Sequence, residues 1–297
     1  MKYTKFILSI LIIVFLLAGC AGPAAHASIA ATTLPVYEFT ARLCDGTGLS
    51  VTRLVTESVS CLHDYSLNVR QVRAAEAAGT IVISGAGLEE FMEDLISPDK
   101  ALIDASAGVH IHDGTDHNHD EHGHEAHSDH HHETDPHIWL SPENAIHMAE
   151  NICAGLSARY PGYCEIFEAN LVILCEELRN LQTYGQTQLQ QLSCRELVTF
   201  HDGFSYLAES FGLTILKAVE EESGSEASAG ELKELITLVR EHQLPAVFTE
   251  VNGSVSAASV ICAETGVVAY SLDMAMSGNS YFDAMYRNID TLKEALG

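Results

Sequence analysis

The sequence predicts an α/β protein of two lobes, each built on a largely parallel sheet flanked by helices, with a long rigid helix joining them. Three observations predict this. Short apolar or β-branched runs alternate with helical patterns on both sides of the chain's middle, the signature of parallel α/β units. Between those regions Phe167, Leu171, Leu174, Leu178 and Leu181 recur at steps of four and three, the apolar stripe of one amphipathic helix. A chain of 297 residues with 47% apolar content can also bury two medium-sized cores.

In the first lobe, residues 28–33 (SIAATT) and 49–55 read as strands, with a helix over 36–43 between them that closes near Gly46 and Gly48. A loop carrying His63 leads to a helix over 68–78, stopped by Gly79. Residues 80–84 (TIVIS) form a β-branched strand, and Gly85-Ala86-Gly87 is a tight turn, too short to be a phosphate loop. A helix over 88–96 and a strand over 101–105 follow. Ser141 with Pro142 after it caps a helix reaching about residue 157. The striped helix opens at Pro161 and runs to about residue 192 with a weak point at Gly185, a rod of about 45 Å. In the second lobe, strands over 195–200, 213–219, 245–249 and 267–272 alternate with helices over 204–211, 231–242, 254–265 and 281–296, and residues 220–225 read as a solvated acidic loop. The expected organisation is residues 29–158 and 194–297 as lobes and 159–193 as the connector.

The amino terminus has its own pattern. Lys2 and Lys5 precede an apolar stretch from Phe6 to Leu17 that is short for a membrane span. Leu17-Ala18-Gly19-Cys20 resembles a bacterial lipobox, where a signal peptidase cuts before the cysteine and the thiol is lipidated. Residues 1–19 are thus expected to be a signal peptide, Cys20 the lipidation site, and 20–28 a lipidated tether. This predicts a protein at the extracytoplasmic face of a bacterial envelope, anchored by lipid. Of eight cysteines, seven would remain after lipidation, so at least one stays unpaired. Cys164 and Cys175 share a helix and lie roughly 16 Å apart, beyond disulfide reach. No CxxC occurs, and most cysteines read as small buried hydrophobes. The net charge of −26 argues against nucleic acid and anionic surfaces, and for cations as partners.

The cation-binding chemistry concentrates between residues 110 and 137. This window holds His110, His112, His117, His119, His122, His124, His127, His130, His131, His132 and His137, with eight carboxylates and no Lys or Arg. Imidazole with carboxylate is a donor set that zinc selects. No period of 2 or 3.6 organises the tract, which predicts a loop over 110–134 that collects metal weakly without fixed geometry. His137 differs, because the adjoining Ile138-Trp139-Leu140 segment can pack and hold it. His63, His201 and Asp273 each follow a predicted strand, where open α/β sheets present residues to a ligand crevice. The intervals of 74, 64 and 72 residues (63 to 137, 137 to 201, 201 to 273) draw each donor from a different segment. Three imidazoles and a carboxylate fill a tetrahedral zinc shell, so His63, His137, His201 and Asp273 are the candidate ligands, shared between the lobes. An exported zinc hydrolase is the competing chemistry, but no HExxH occurs.

Three motifs in order, HDYSL (63–67), DPHIWLSP (135–142) and TFHDGFSYLAESFGL (199–213), resemble those of the zinc-binding, ZnuA-like substrate-binding proteins of bacterial ABC transporters. LDMAMSGNSYFDAMYRN (272–288) is similar to the family's closing segment more loosely. The resemblance spans nearly the whole mature chain. It implies two α/β lobes joined by a long helix, metal in the cleft between them, and delivery to a membrane permease driven by a cytoplasmic ATPase. A binding protein and not an enzyme is expected, acting as a monomer. His63, His137 and His201 match the family's ligand positions, and Asp273 matches a fourth place that water or another acid fills in some members. Manganese-binding relatives usually carry a carboxylate at the third position, so His201 favours Zn2+ over Mn2+, the alternative cargo. A surface metal buffer or adhesin is the other alternative. The chain departs from the family at Leu62, where a proline is frequent, and in its cysteine count.

Overall fold

The computed structural model describes residues 28–58, 62, 65–95, 100–112, 134–219 and 227–297. The signal segment, Cys20, His63, the acidic loop and the tract histidines from His117 to His132 lie outside the described residues. Strands β1 (Ser28–Ala31), β2 (Ser50–Arg53), β3 (Thr80–Ile83) and β4 (Ala101–Asp104) form one sheet in the order β2-β1-β3-β4. Strands β5 (Glu196–Thr199), β6 (Thr214–Ala218), β7 (Ala246–Glu250) and β8 (Val268–Leu272) form a second in the order β6-β5-β7-β8. Every neighbouring pair is parallel. Both sheets therefore switch direction between their first and third strands, the place where a parallel sheet opens a crevice at its carboxyl ends.

The helices among the described residues are α1 (Leu34–Leu43), α2 (Val69–Ala77), α3 (Pro142–Arg159), α4 (Cys164–Gln188), α5 (Ser205–Ser210), α6 (Ala229–Glu241), α7 (Ser256–Thr265) and α8 (Tyr281–Leu296). Their ends follow local chemistry. Asn68 and Gln71 close a reciprocal capping box on α2, as Ser228 and Glu231 do on α6. Ser141 Oγ accepts from Asn144 N, with Pro142 opening α3. Gly266, at φ 82°, ends α7 in the left-handed region. No helix of the described residues is long and apolar enough to cross a membrane.

Two expected helices differ. The segment expected to be helical over 88–96 is instead a 3₁₀ helix, Glu90–Leu95. Its entry is captured by Glu89, whose carboxylate accepts from Thr32 Oγ1 at 2.6 Å, Ser84 N at 2.7 Å and Gly85 N at 3.0 Å. The side chain thus plugs the crevice between the carboxyl ends of β1 and β3. Gly85 (φ 81°) is required here, because a Cβ would lie 2.0 Å from Asp104 Oδ1. The connector also differs: Pro161–Tyr163 is a 3₁₀ turn, and α4 proper has 25 residues, about 37 Å. It ends where the Leu189 amide bonds Gly185 O. Phe167, Leu174, Leu178 and Leu181 are buried as the stripe requires. Gly185 is a packing position, since a Cβ there would lie 2.2 Å from the Phe211 ring.

Burial pushes the Glu89 carboxyl up to about 7, outweighing the Thr32 hydroxyl and the Ser84 and Gly85 amides, which favour its charged form. The folded value lies above the unfolded one, so the folded state holds this proton more tightly. The associated stability is fully present below about pH 4.5 and is lost as pH rises towards 7. Denaturant titrations of the native chain and Glu89→Gln across that window should show the native chain losing stability relative to the variant as pH rises. A difference that stays flat would contradict this.

The lobes share their largest apolar cluster, and each also has a smaller one of its own. Buried residues from both sheets, from Ile29 and Phe39 to Phe248 and Leu292, belong to a single apolar cluster. Helix α4 packs against α1, α3 and α8. Trp139 Nε1 donates to Met274 O at 2.7 Å, and Tyr281 Oη donates to Trp139 O at 2.8 Å. The Tyr281 amide is held by Glu38 Oε2 at 2.6 Å, and its ring meets Phe39 edge-on at 5.1 Å. The six described cysteines are free, with Cys44, Cys153 and Cys175 buried, and burial pushes the Cys44 thiol up to about 12.

Candidate metal centre

His137 is held from both directions. The 3₁₀ helix Ile138–Leu140 follows it, and all three of those side chains are fully buried. On the other side, Asp135 Oδ1 accepts from His137 N at 3.0 Å and lies 2.8 Å from its Nδ1. A carboxylate only accepts, so Nδ1 carries the hydrogen and Nε2 keeps the lone pair for a metal. Asp135 and His137 are both buried.

His201 lies two residues beyond β5, on the loop that leads to α5. Its ring centroid is 5.4 Å from that of His137, with the planes at 82°. Two imidazoles on one tetrahedral zinc, with nitrogens at about 2.1 Å, place their centroids about 5 Å apart, so this spacing fits a shared ion. The approach depends on Gly203: a Cβ there would sit 2.8 Å from His137 Nδ1 and 2.6 Å from Met274 Cε. Behind His201 stands Glu250, the buried last residue of β7, with Oε2 3.9 Å from Nδ1. Each histidine thus has a buried carboxylate on its Nδ1 side, within hydrogen-bond distance at His137 and as a longer ion-pair contact at His201.

Asp273 directly follows β8, as its sequence position implies. Its Oδ1 accepts from Ala275 N at 2.8 Å and its Oδ2 pairs with Arg287 Nη2 at 3.1 Å. Among the described residues no group of three or more His, Cys, Asp and Glu side chains is gathered around one metal position. The structure therefore brings His137 and His201 together, leaves Asp273 engaged with α8, and does not describe His63. Of the tract, only His110 and His112 are described, their rings 5.8 Å apart. Sequence reasoning passed over Asp135 and Glu250 as supporting groups. Asp135 was hidden among the tract's carboxylates, and Glu250 sits one residue past the strand expected to end at 249. That strand-end position, shared with the other candidates, was the signal available.

Two parallel-sheet lobes with paired histidines at the junction define a two-lobed metal-binding protein. The chain belongs to the ZnuA family: the model of the zinc-uptake complex component A, periplasmic, matches residues 29–295. It is 31% identical over 284 residues to the zinc-binding lipoprotein AdcA of Streptococcus pneumoniae (strain ATCC BAA-255 / R6), covering 90% of this chain and 55% of that one. The chain thus spans about half the length of the AdcA relatives it matches. It is 30% identical to the high-affinity zinc uptake system protein ZnuA of Bacillus subtilis (strain 168), covering 90% of this chain and 87% of the relative. A crystal structure of ZnuA superimposes with a TM-score of 0.77 at 26% identity, covering 91% of this chain and all of the other. Zn(II)-bound AdcA from Streptococcus pneumoniae does so at 0.74 and 28% identity, covering 92% of this chain and 58% of the other.

Proposed function

We propose that this chain is the extracytoplasmic zinc-capturing component of a bacterial ABC importer, which binds Zn2+ between its lobes and delivers it to a membrane permease driven by a cytoplasmic ATPase. The observation that carries this reading is the His137–His201 pair, spaced for one ion and backed by Asp135 and Glu250. The ligand set is His63, His137 and His201, with Asp273 as the fourth donor. For Asp273 to ligate, its carboxylate must turn from Arg287, whose side chain is 63% exposed. The Asp273 side chain is only 18% exposed, so the pair is partly buried and the metal bond must offset its loss. The protein acts by binding and release rather than catalysis, as a monomer. Lipid on Cys20 holds it to the membrane; the lipobox-like sequence and the lipoprotein name of its AdcA relative support that anchor.

In cells lacking the native gene, the full chain is expected to restore growth at limiting zinc, and His201→Ala is not. Restoration by the variant would remove the cleft from the account. Deleting 113–132 is expected to abolish the weak, rapidly exchanging zinc while leaving the tight ion in place, as calorimetry would read. Loss of the tight ion in that deletion would contradict the separation of tract from cleft.

A further inference from the structure

The two ends of the His tract meet at one buried hydroxyl. Tyr206, on α5, is 2% exposed. Its Oη accepts from His112 N at 2.9 Å and donates to Asp135 O at 2.9 Å. The two ends are also joined directly, Asp135 N donating to His112 O at 3.1 Å. The His112 ring stacks on the Tyr206 ring at 4.2 Å and 15°, and its Nε2 lies 2.9 Å from Glu209 Oε2 on the same helix. Asp135 is the residue that grips His137 through both its amide and Nδ1. Tyr206 lies five residues after His201, on the helix that His201's loop enters. One hydroxyl therefore ties the segment carrying one imidazole to the helix that follows the other.

We infer that Tyr206 is a positioning residue for the metal centre, acting through Asp135 to set His137 against His201. Burial pushes the Tyr206 hydroxyl up to about 12, so it keeps its proton at neutral pH and can donate to Asp135 O while accepting from His112 N. This inference rests on the zinc reading of the same site. It assigns to Tyr206 a role in affinity that neither metal contact nor general packing accounts for. The aromatic ring alone would supply the packing.

The test uses Tyr206→Phe, which keeps the ring and its stacking and removes only the hydroxyl. Zinc affinity, measured by competition with a chelator, should fall about tenfold to a hundredfold, the range for losing a group that orients a ligand. The visible spectrum of the cobalt-loaded protein should change with it, a signature that a purely structural role would not move. Glu209→Gln, which alters only the side-chain contact with His112, should stay within about twofold of the native chain. Because Tyr206 acts through Asp135, adding Tyr206→Phe to Asp135→Asn should weaken binding less than it does alone, so the cycle reads the coupling even if one variant is less stable. Unchanged affinity and cobalt spectrum in Tyr206→Phe, an equal loss in Glu209→Gln, or full additivity with Asp135→Asn would each overturn the inference. If the native chain binds no zinc, or if His137→Ala keeps it, the zinc reading falls and the inference with it. If both behave as expected and Tyr206→Phe matches the native chain, the inference falls alone.

Discussion

Trp139→Ala is expected to lower the free energy of unfolding by about 3–5 kcal/mol, the range for removing a fully buried large aromatic residue. Two effects add. The indole leaves a cavity in the apolar cluster that both lobes share. Its loss also strands Met274 O, which accepts from Trp139 Nε1 in the buried interior. Trp139→Phe separates these effects, retaining most apolar volume while deleting the donor, and should cost about 1–3 kcal/mol. Urea denaturation of the metal-free proteins measures both. Equal stability of Trp139→Ala and the native chain would contradict the view that this residue stitches the closing segment onto the first lobe. The substitution should weaken metal binding too, because His137 lies two residues away and Met274 packs against Gly203 beneath it.

The second large effect concerns the ligands. His137→Ala and His201→Ala should each weaken zinc binding more than about a hundredfold, exceeding the range for losing an orienting group alone. Their unfolding midpoints without metal should change little by comparison, so the native chain should gain thermal stability from added zinc and the variants should not. Asp273→Asn keeps the acceptor that Ala275 N uses and removes the charge. A clear loss of affinity supports Asp273 as the fourth donor; unchanged affinity removes it from the ligand set. Retained tight binding in either histidine variant, read by chelator competition, would contradict the pairing seen in the fold.

Much of the architecture was legible because its causes are local. The TIVIS run became β3, Ser141 with Pro142 opened α3, and the Phe167-to-Leu181 stripe became the buried face of α4, since each rests on side-chain periodicity or capping within a few residues. The approach of His137 and His201 was also legible, from a residue beside a packable apolar segment and one at a strand end. The features that escaped depend on distant parts of the chain. Glu89 turns a would-be helix into a 3₁₀ segment because Thr32, 57 residues away, and the amides after β3 capture its carboxylate. Gly185 looked like a weak point in a helix, but the Phe211 ring that needs its missing Cβ arrives from another helix boundary. Asp135 and Glu250 acquire their roles only when two lobes bring their histidines within 5.4 Å of each other.

One specific zinc ion is proposed to sit between the lobes, held by histidines from separate segments. Native mass spectrometry of the protein purified from its own envelope tests it most directly, after dialysis has removed weakly held metal from the tract. The native chain is expected to retain a single zinc, and the variant with His63, His137 and His201 all replaced by alanine none. A native chain that retains no zinc, or a triple variant that keeps it tightly, would rule out a site shared between these histidines.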